Sequence, residues 1–231
     1  MKEMICNSPF FGITISLVGY VLGTYIKKKY NNALLNPLLL SVLFVIGILC
    51  IFHIDYSDYS EGASFLSLLL TPATICLAIP MYEKIKLLRQ NRVAIIAGIV
   101  SGSFACLISV LLFATLFRFN HTQYVTLLPK SVTAAIGMNI SEELGGISSI
   151  TIAAIIISGI TGNVAAEILF KLAKIEEPVA KGVAIGTASH VIGTAKAMEL
   201  GHTEEAISSL SIVVAGLVTV LGAILFSGFI R

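Results

Sequence analysis

Eight apolar runs fill this chain almost from end to end, and they decide what it can fold into: residues 10–25, 36–54, 65–82, 93–117, 124–140, 147–172, 178–200 and 208–230. A helix needs about 20 mostly apolar residues to cross a bilayer core roughly 30 Å thick, and each run comes near that length. The connectors between them are too short for a soluble module, which excludes a kinase, nuclease or hydrolase domain. Only 12% of the 231 residues are charged, against about 25% in soluble domains, and mean hydropathy is +0.94. A membrane barrel would need alternating runs of about 10 residues, whereas these runs are continuous. We read an all-α fold, a polytopic transmembrane helical bundle of about seven to eight membrane segments, with residues 1–231 forming a single integral membrane domain.

The first run follows Lys2 but passes straight into "YIKKKY" without a small-residue cleavage site, so it is read as a retained helix and not as a signal peptide. Cys6, Cys50, Cys76 and Cys106 lack the paired spacing of metal or redox motifs and are expected to be packing residues. Positive residues favour the cytoplasmic side, so Lys27-Lys28-Lys29 and "EKIKLLRQNR" at 83–92 belong inside, and the acidic "DYSDYSEG" at 55–62 and the N-terminus belong outside. If all eight runs crossed, basic "KLAKIEEPVAK" at 171–181 would fall outside and acidic "ELGHTEEA" at 199–206 inside. One non-crossing segment between 93 and 171 removes both conflicts. The run 124–140, short and carrying Pro129 and Lys130, is the one expected to be broken or re-entrant, leaving seven crossings.

Sliding the chain over itself by 57 residues lays "PATICLAIPM" at 72–81 on "PKSVTAAIGM" at 129–138, and the register continues to Ser101-Gly102 over Ser158-Gly159. Ten of the 31 positions are identical. The repeat halves centre on 65–117 and 124–172, with C-terminal helices over 178–230. Pro72 and Pro129 each lack an N–H and obstruct the carbonyl four residues earlier, so two Pro-broken helices are expected. Paired broken helices in two repeats point to a transporter's binding site, where half-helix N-termini face an anionic substrate. Segments 93–117 and 147–172 run in opposite directions in the seven-crossing arrangement, as an inverted repeat requires.

The polar residues around these breaks are the candidate substrate-binding set: Thr71, Pro72, Thr74, Pro129, Lys130, Ser131 and Thr133. Lys130 at membrane depth either pairs with a carboxylate or snorkels to the interface. Ser131 and Thr133 either bond an anion or back-bond to their own helix. Glu142 and Glu143 either take a proton or form a solvated loop before Gly145-Gly146. The block "GTASHVIGTAK" at 186–196 adds Thr187, Ser189, His190, Thr194 and Lys196. Read as one helix, it puts Gly186, Ser189, Gly193 and Lys196 on one stripe and Thr187, His190 and Thr194 on the next. Gly182 and Gly186 form a small-xxx-small packing pattern. His190 either packs with a hydrogen bond or carries a proton near neutral pH. His53, His121 and His202 show no metal-ligand spacing, no phosphate-binding loop is present, and no constellation supports an enzyme. No cofactor, metal or nucleic-acid partner is expected.

"LLTPATICLAIPMYEK", "PKSVTAAIGMNISEELGGISSIT" and "VAKGVAIGTASHVIGTAKAMELG" together resemble the LrgB/CidB family of bacterial membrane proteins, from about residue 10 to the C-terminus. The resemblance implies two roles. One is a carrier of small monocarboxylates such as pyruvate or glycolate, like the related bacterial pyruvate and plastid glycolate/glycerate transporters. The other is a holin-like or antiholin-like protein that modulates murein hydrolase activity and autolysis. It also implies a small LrgA/CidA-type membrane partner and a multi-pass location in the bacterial cell membrane, and the small-residue faces suggest a homo-oligomer in the lipid bilayer. The chain departs from the family pattern at Ala135, Gly137 and Asn139, where proline, alanine and an acid are common; Gly137 is expected to supply a flexible break. Buried Lys130 and His190 beside paired proline breaks favour the carrier, with proton coupling as an option.

Overall fold

The computed structural model of the chain describes residues 10–30, 35, 37–69, 72, 75–76 and 78–230. Among these, eleven helices and no strand are found: α1 (Phe11–Tyr30), α2 (Pro37–Phe52), α3 (Tyr56–Leu68), α4 (Ala78–Glu83), α5 (Ile85–Gln90), α6 (Arg92–Leu116), α7 (His121–Leu127), α8 (Ala134–Glu143), α9 (Ser148–Leu172), α10 (Pro178–Leu200) and α11 (His202–Ser227). The chain divides into two compact units, residues 1–76 and 77–231. The boundary falls inside the expected first repeat half, 65–117.

In the first unit, α1 lies against α2 and α3 through a row of glycines. Gly19 faces Phe44 and Ser41, Gly23 faces the Pro37 backbone, and Gly12 abuts the α3 backbone at Tyr59 and Ala63. Side chains at these positions would hold the helices apart. From Tyr56 on, the "DYSDYSEG" stretch forms the start of α3. Of the 65–82 run, α3 ends at Leu68 and α4, six residues long, begins at Ala78; residues 70, 71, 73, 74 and 77 between them lie outside the described residues.

In the second unit, α6, α9 and α11 are the three helices long and apolar enough to cross a membrane. α6 and α9 are both 25 residues long and end alike. Arg118 (φ 54°) and Lys174 (φ 52°) take the left-handed conformation just past each helix. Phe119 N–H then bonds to Ala114 O (2.8 Å) and Ile175 N–H to Phe170 O (2.9 Å). This cap closes orphan carbonyls while a basic residue meets the negative end of the helix dipole. We call the two ends of the unit the Arg118 end and the Lys174 end.

The 124–140 run is broken as expected. Asn120 and Gln123 form a reciprocal capping box that starts α7 at the Arg118 end. The helix stops at Leu127, residues 128–133 are non-helical around Pro129, and α8 then runs back toward the same end. The reversal is visible in the contacts. Gly137 lies beside the Pro129 carbonyl, and Ser141 shares the Thr151 hydroxyl with the carbonyl of Thr126. Seven- and ten-residue arms reach about 10 and 15 Å, well short of 30 Å, so this is a re-entrant hairpin. Tyr124 OH donates to Phe226 O (2.9 Å), and Ile136 touches Gly216 near the middle of α11, so the tip reaches mid-depth. Gly137 lies inside α8 and is not the break; what it provides is room for the Ile155 side chain.

The 178–200 run holds the main departure from the sequence reading. It is helical throughout except at His190, whose backbone (φ 42°, ψ −139°) reverses the chain. Gly193 packs on Ser189 and Ile185 of the preceding arm, and a Cβ there would lie 3.1 Å from the Ile185 carbonyl oxygen. Ile185 and Ala197 share one core cluster with Ala166 and Phe170 of α9. A straight helix would separate residues twelve apart by about 18 Å. α10 is therefore a second re-entrant hairpin, with arms over 178–189 and 191–200, entering from the Lys174 end. The acidic 199–206 stretch consequently lies at the same end as the basic 171–181 loop. Of the four crossings expected over 93–117, 147–172, 178–200 and 208–230, three remain as helices long and apolar enough to cross.

Candidate functional site

The two hairpin tips come together on α9. The Ile155 side chain contacts Gly137 of the first hairpin, while the Ile155 carbonyl accepts a hydrogen bond from His190 Nε2–H of the second (3.1 Å). A carbonyl only accepts, so Nε2 carries the proton, and in the neutral ring Nδ1 is the acceptor. The His190 ring and Ile192 fill the space left by Gly159, and Ser189 fills that left by Gly162.

His190 is buried and held in a conformation that L residues rarely adopt. Such strain costs on the order of 1–3 kcal/mol and persists where surrounding contacts enforce it. Here the ring bonds to Ile155, and the His190 carbonyl accepts from Thr194 Oγ1 (3.1 Å). Thr194 Oγ1 also bonds Ser208 Oγ on α11 (2.7 Å), tying the tip to a third helix.

At the first tip, Pro129 and Ser131 are buried, whereas Lys130 and Thr133 are partly exposed. Lys130 Nζ donates to Ser131 Oγ (3.2 Å), and among the described residues no carboxylate pairs with it. Thr133 is the N-cap of α8 without a side-chain cap bond. The N-terminal ends of α8 and of the second arm of α10 thus both begin at the tips, beside Lys130 and His190.

The remaining expected residues divide. Because the helix reverses at His190, the stripes drawn through 186–196 do not exist as continuous faces. Thr187 meets Gly102 of α6, His190 meets α9 and Thr194 meets α11. Gly186 and Gly182 press on the α11 backbone, as their small-xxx-small pattern predicts. Lys196 lies away from the tips, ion-paired to Glu167 of α9 and to Glu199 (2.8 Å). Pro72 is exposed and belongs to the other unit; Thr71 and Thr74 lie outside the described residues. Glu142 and Glu143 are exposed at the end of α8, before a turn at Gly145 (φ 82°), which fits the solvated alternative. Cys50 and Cys76 are exposed and not packed inside, and Cys106 is half-buried; Cys6 lies outside the described residues.

Sequence reasoning missed Asn163, whose Nδ2 donates to Ile192 O (2.9 Å), and Glu167, which holds Lys196. Their signal was present: two polar residues four apart inside an apolar run share a helix face, and polar groups at membrane depth need partners. No solved structure matches the chain. The model of the LrgB-like family matches residues 16–229, nearly the whole sequence, and the chain belongs to that family.

Proposed function

We propose that this protein is a membrane carrier of small monocarboxylates of the pyruvate or glycolate kind, binding them where the two hairpin tips meet. The observation that carries the reading is the pair of oppositely entering re-entrant hairpins, with Lys130 and His190 at their tips. Irregular backbone at membrane depth is tolerated where it lines a cavity or is buried in protein, and half-helix N-termini at the midplane favour an anion. A carboxylate would meet the Lys130 ammonium, the Ser131 hydroxyl and the N-terminal ends of α8 and of the second α10 arm. Thr133, Thr187, Ser189 and Thr194 support the tips from behind. His190, held by Ile155 through Nε2, keeps Nδ1 for a coupled proton.

The architecture also supports an inverted repeat, with a unit of one span followed by one hairpin in place of the 57-residue register that paired Pro72 with Pro129. α6 precedes the first hairpin and α9 the second, the two spans run in opposite directions, and Arg118 and Lys174 cap them alike. In this reading His190 is the counterpart of Pro129. Among the described residues of this unit, Lys84, Lys86, Arg89, Arg92, Lys171, Lys174 and Lys181 gather at the Lys174 end, against Arg118 at the other. The positive-inside rule then makes the Lys174 end cytoplasmic in a bacterial cell membrane, and Lys27-Lys28-Lys29 keeps the N-terminus outside.

Family membership is compatible with a carrier and with an antiholin-like regulator of murein hydrolases; the convergent tips favour the carrier. The deciding experiment is uptake of labelled pyruvate and glycolate into vesicles containing the chain, with and without a small LrgA/CidA-type partner. We expect saturable flux that Lys130→Met lowers at least about tenfold, a loss of about 1.4 kcal/mol or more in carboxylate recognition. No substrate-dependent flux in either preparation sinks the carrier reading, and size-dependent leakage insensitive to Lys130→Met favours the holin-like one.

A further inference from the structure

Two buried hydroxyls have no hydrogen-bond partner among the described residues, Ser103 Oγ and Thr187 Oγ1. Ser103 is 2% exposed and Thr187 4%. They lie at one level of the contact between α6 and the first arm of α10. Thr187 sets its methyl against Gly102, where a Cβ would lie 3.0 Å away, and Ser103 is the next residue of α6. Native interiors rarely leave such a group without a protein, water or ion partner, and two at one level call for a shared one.

The surroundings point to a cation. Thr187 lies in the last turn before the reversal at His190, and the last carbonyls of a helix lack intrahelical donors and carry the negative pole of its dipole. The ligand set is therefore neutral oxygen, hydroxyl and carbonyl, with no carboxylate in it. Ca²⁺ and Mg²⁺ sites draw on carboxylates, and among the described residues no His/Cys/Asp/Glu group could hold such a metal. A groove of about 750 Å³ runs between α6 and the first arm of α10, from Asn91 and Glu177 at the Lys174 end to Thr187 and Ala188. Glu177 is the one charged residue among those that line it.

We propose that Ser103, Thr187 and the terminal carbonyls of the first α10 arm form a monovalent cation site, suited to Na⁺ and reached through this groove. The second hairpin then presents opposite poles on its two arms: the C-terminal end of one to the cation, the N-terminal start of the other to the carboxylate. Binding of the cation does not depend on the carrier reading; its role as the coupling ion rests on it.

The test uses the full chain in detergent micelles without substrate, with NaCl exchanged for choline chloride at constant ionic strength and thermal unfolding followed by circular dichroism. At about ten times its Kd, Na⁺ raises Tm by roughly 3–6 °C. Thr187→Val and Ser103→Ala each lose the rise while folding in choline. Ser101→Ala, on the groove wall with its hydroxyl already bonded to Gly98 O (3.1 Å), keeps it. Equilibrium dialysis of the unsubstituted chain against labelled Na⁺ gives one saturable site, a readout that stands even if a variant does not fold. No Na⁺-specific rise and no saturable site, or a rise that survives in both hydroxyl variants, overturns the proposal. Because binding is read without carboxylate, its failure is distinct from a failure of carboxylate uptake.

Discussion

Replacing His190 by alanine and, separately, by glycine isolates the backbone reversal from the side chain. Both variants lose the Nε2 bond to Ile155 O and the ring's contact with Gly159, so these losses cancel in the comparison. What differs is the conformation at φ 42°, ψ −139°. Alanine there retains about 1–3 kcal/mol of strain, whereas glycine is free of it. Glycine's extra freedom in the unfolded chain returns about 0.5–1 kcal/mol of that advantage. The glycine variant should therefore be the more stable by roughly 0.5–2 kcal/mol, or about 1–8 °C in Tm for a chain of this size. In an unbroken helix the order is the opposite, since glycine costs about 1 kcal/mol relative to alanine. Thermal unfolding of the two variants in the same detergent reads the sign directly. An alanine variant as stable as the glycine variant would falsify the reversal and, with it, the second hairpin.

Three further outcomes follow from the same geometry. In a background without the native cysteines, Ile185→Cys with Ala197→Cys should cross-link through a short thiol reagent, whereas two sites about 18 Å apart on a straight helix would not; the product is read by mass spectrometry of the digested chain. Gly186→Ala drives a methyl into the Ser208 carbonyl of α11 and should cost about 1–3 kcal/mol, while Gly98→Ala meets only a Val183 methyl at 3.0 Å and should cost less; equal Tm losses would refute the close α10–α11 packing. Lys196→Met and Glu167→Gln should couple by only about 0.5–1 kcal/mol in a double-mutant stability cycle, because Glu167 is 39% exposed and screened by water, and neither should change carboxylate affinity as Lys130→Met does.

Much of the fold was legible because apolar length speaks directly to membrane crossing. The runs at 93–117 and 147–172 match α6 and α9 within a residue or so. Pro129 announced its break because a missing N–H and a ring clash act locally, whatever packs around them. The reversal at His190 was not legible. Nothing in "GTASHVIGTAK" forbids a helix; histidine takes a positive φ there because Ile155, Thr194 and Ser208 hold it on both sides. The charge count went astray for the same reason. It asked for one segment to turn back, and the run at Pro129 is broken, but the acidic 199–206 stretch lies at the same end as the basic 171–181 loop because a second segment turns back too.

By itself, the sequence determined the membrane class, the helical architecture, the family and the proline-broken segment, since each rests on composition, local backbone chemistry or motif identity. Only the tertiary structure decided which polar residues share a site. It set Gly137 of the first hairpin and His190 of the second on the same residue, Ile155, sent Lys196 to Glu167 instead, and left Ser103 and Thr187 buried without hydrogen-bond partners among the described residues. Hairpin reversal sets which residues are neighbours, and that reversal depends on contacts made by distant helices, which no local pattern encodes.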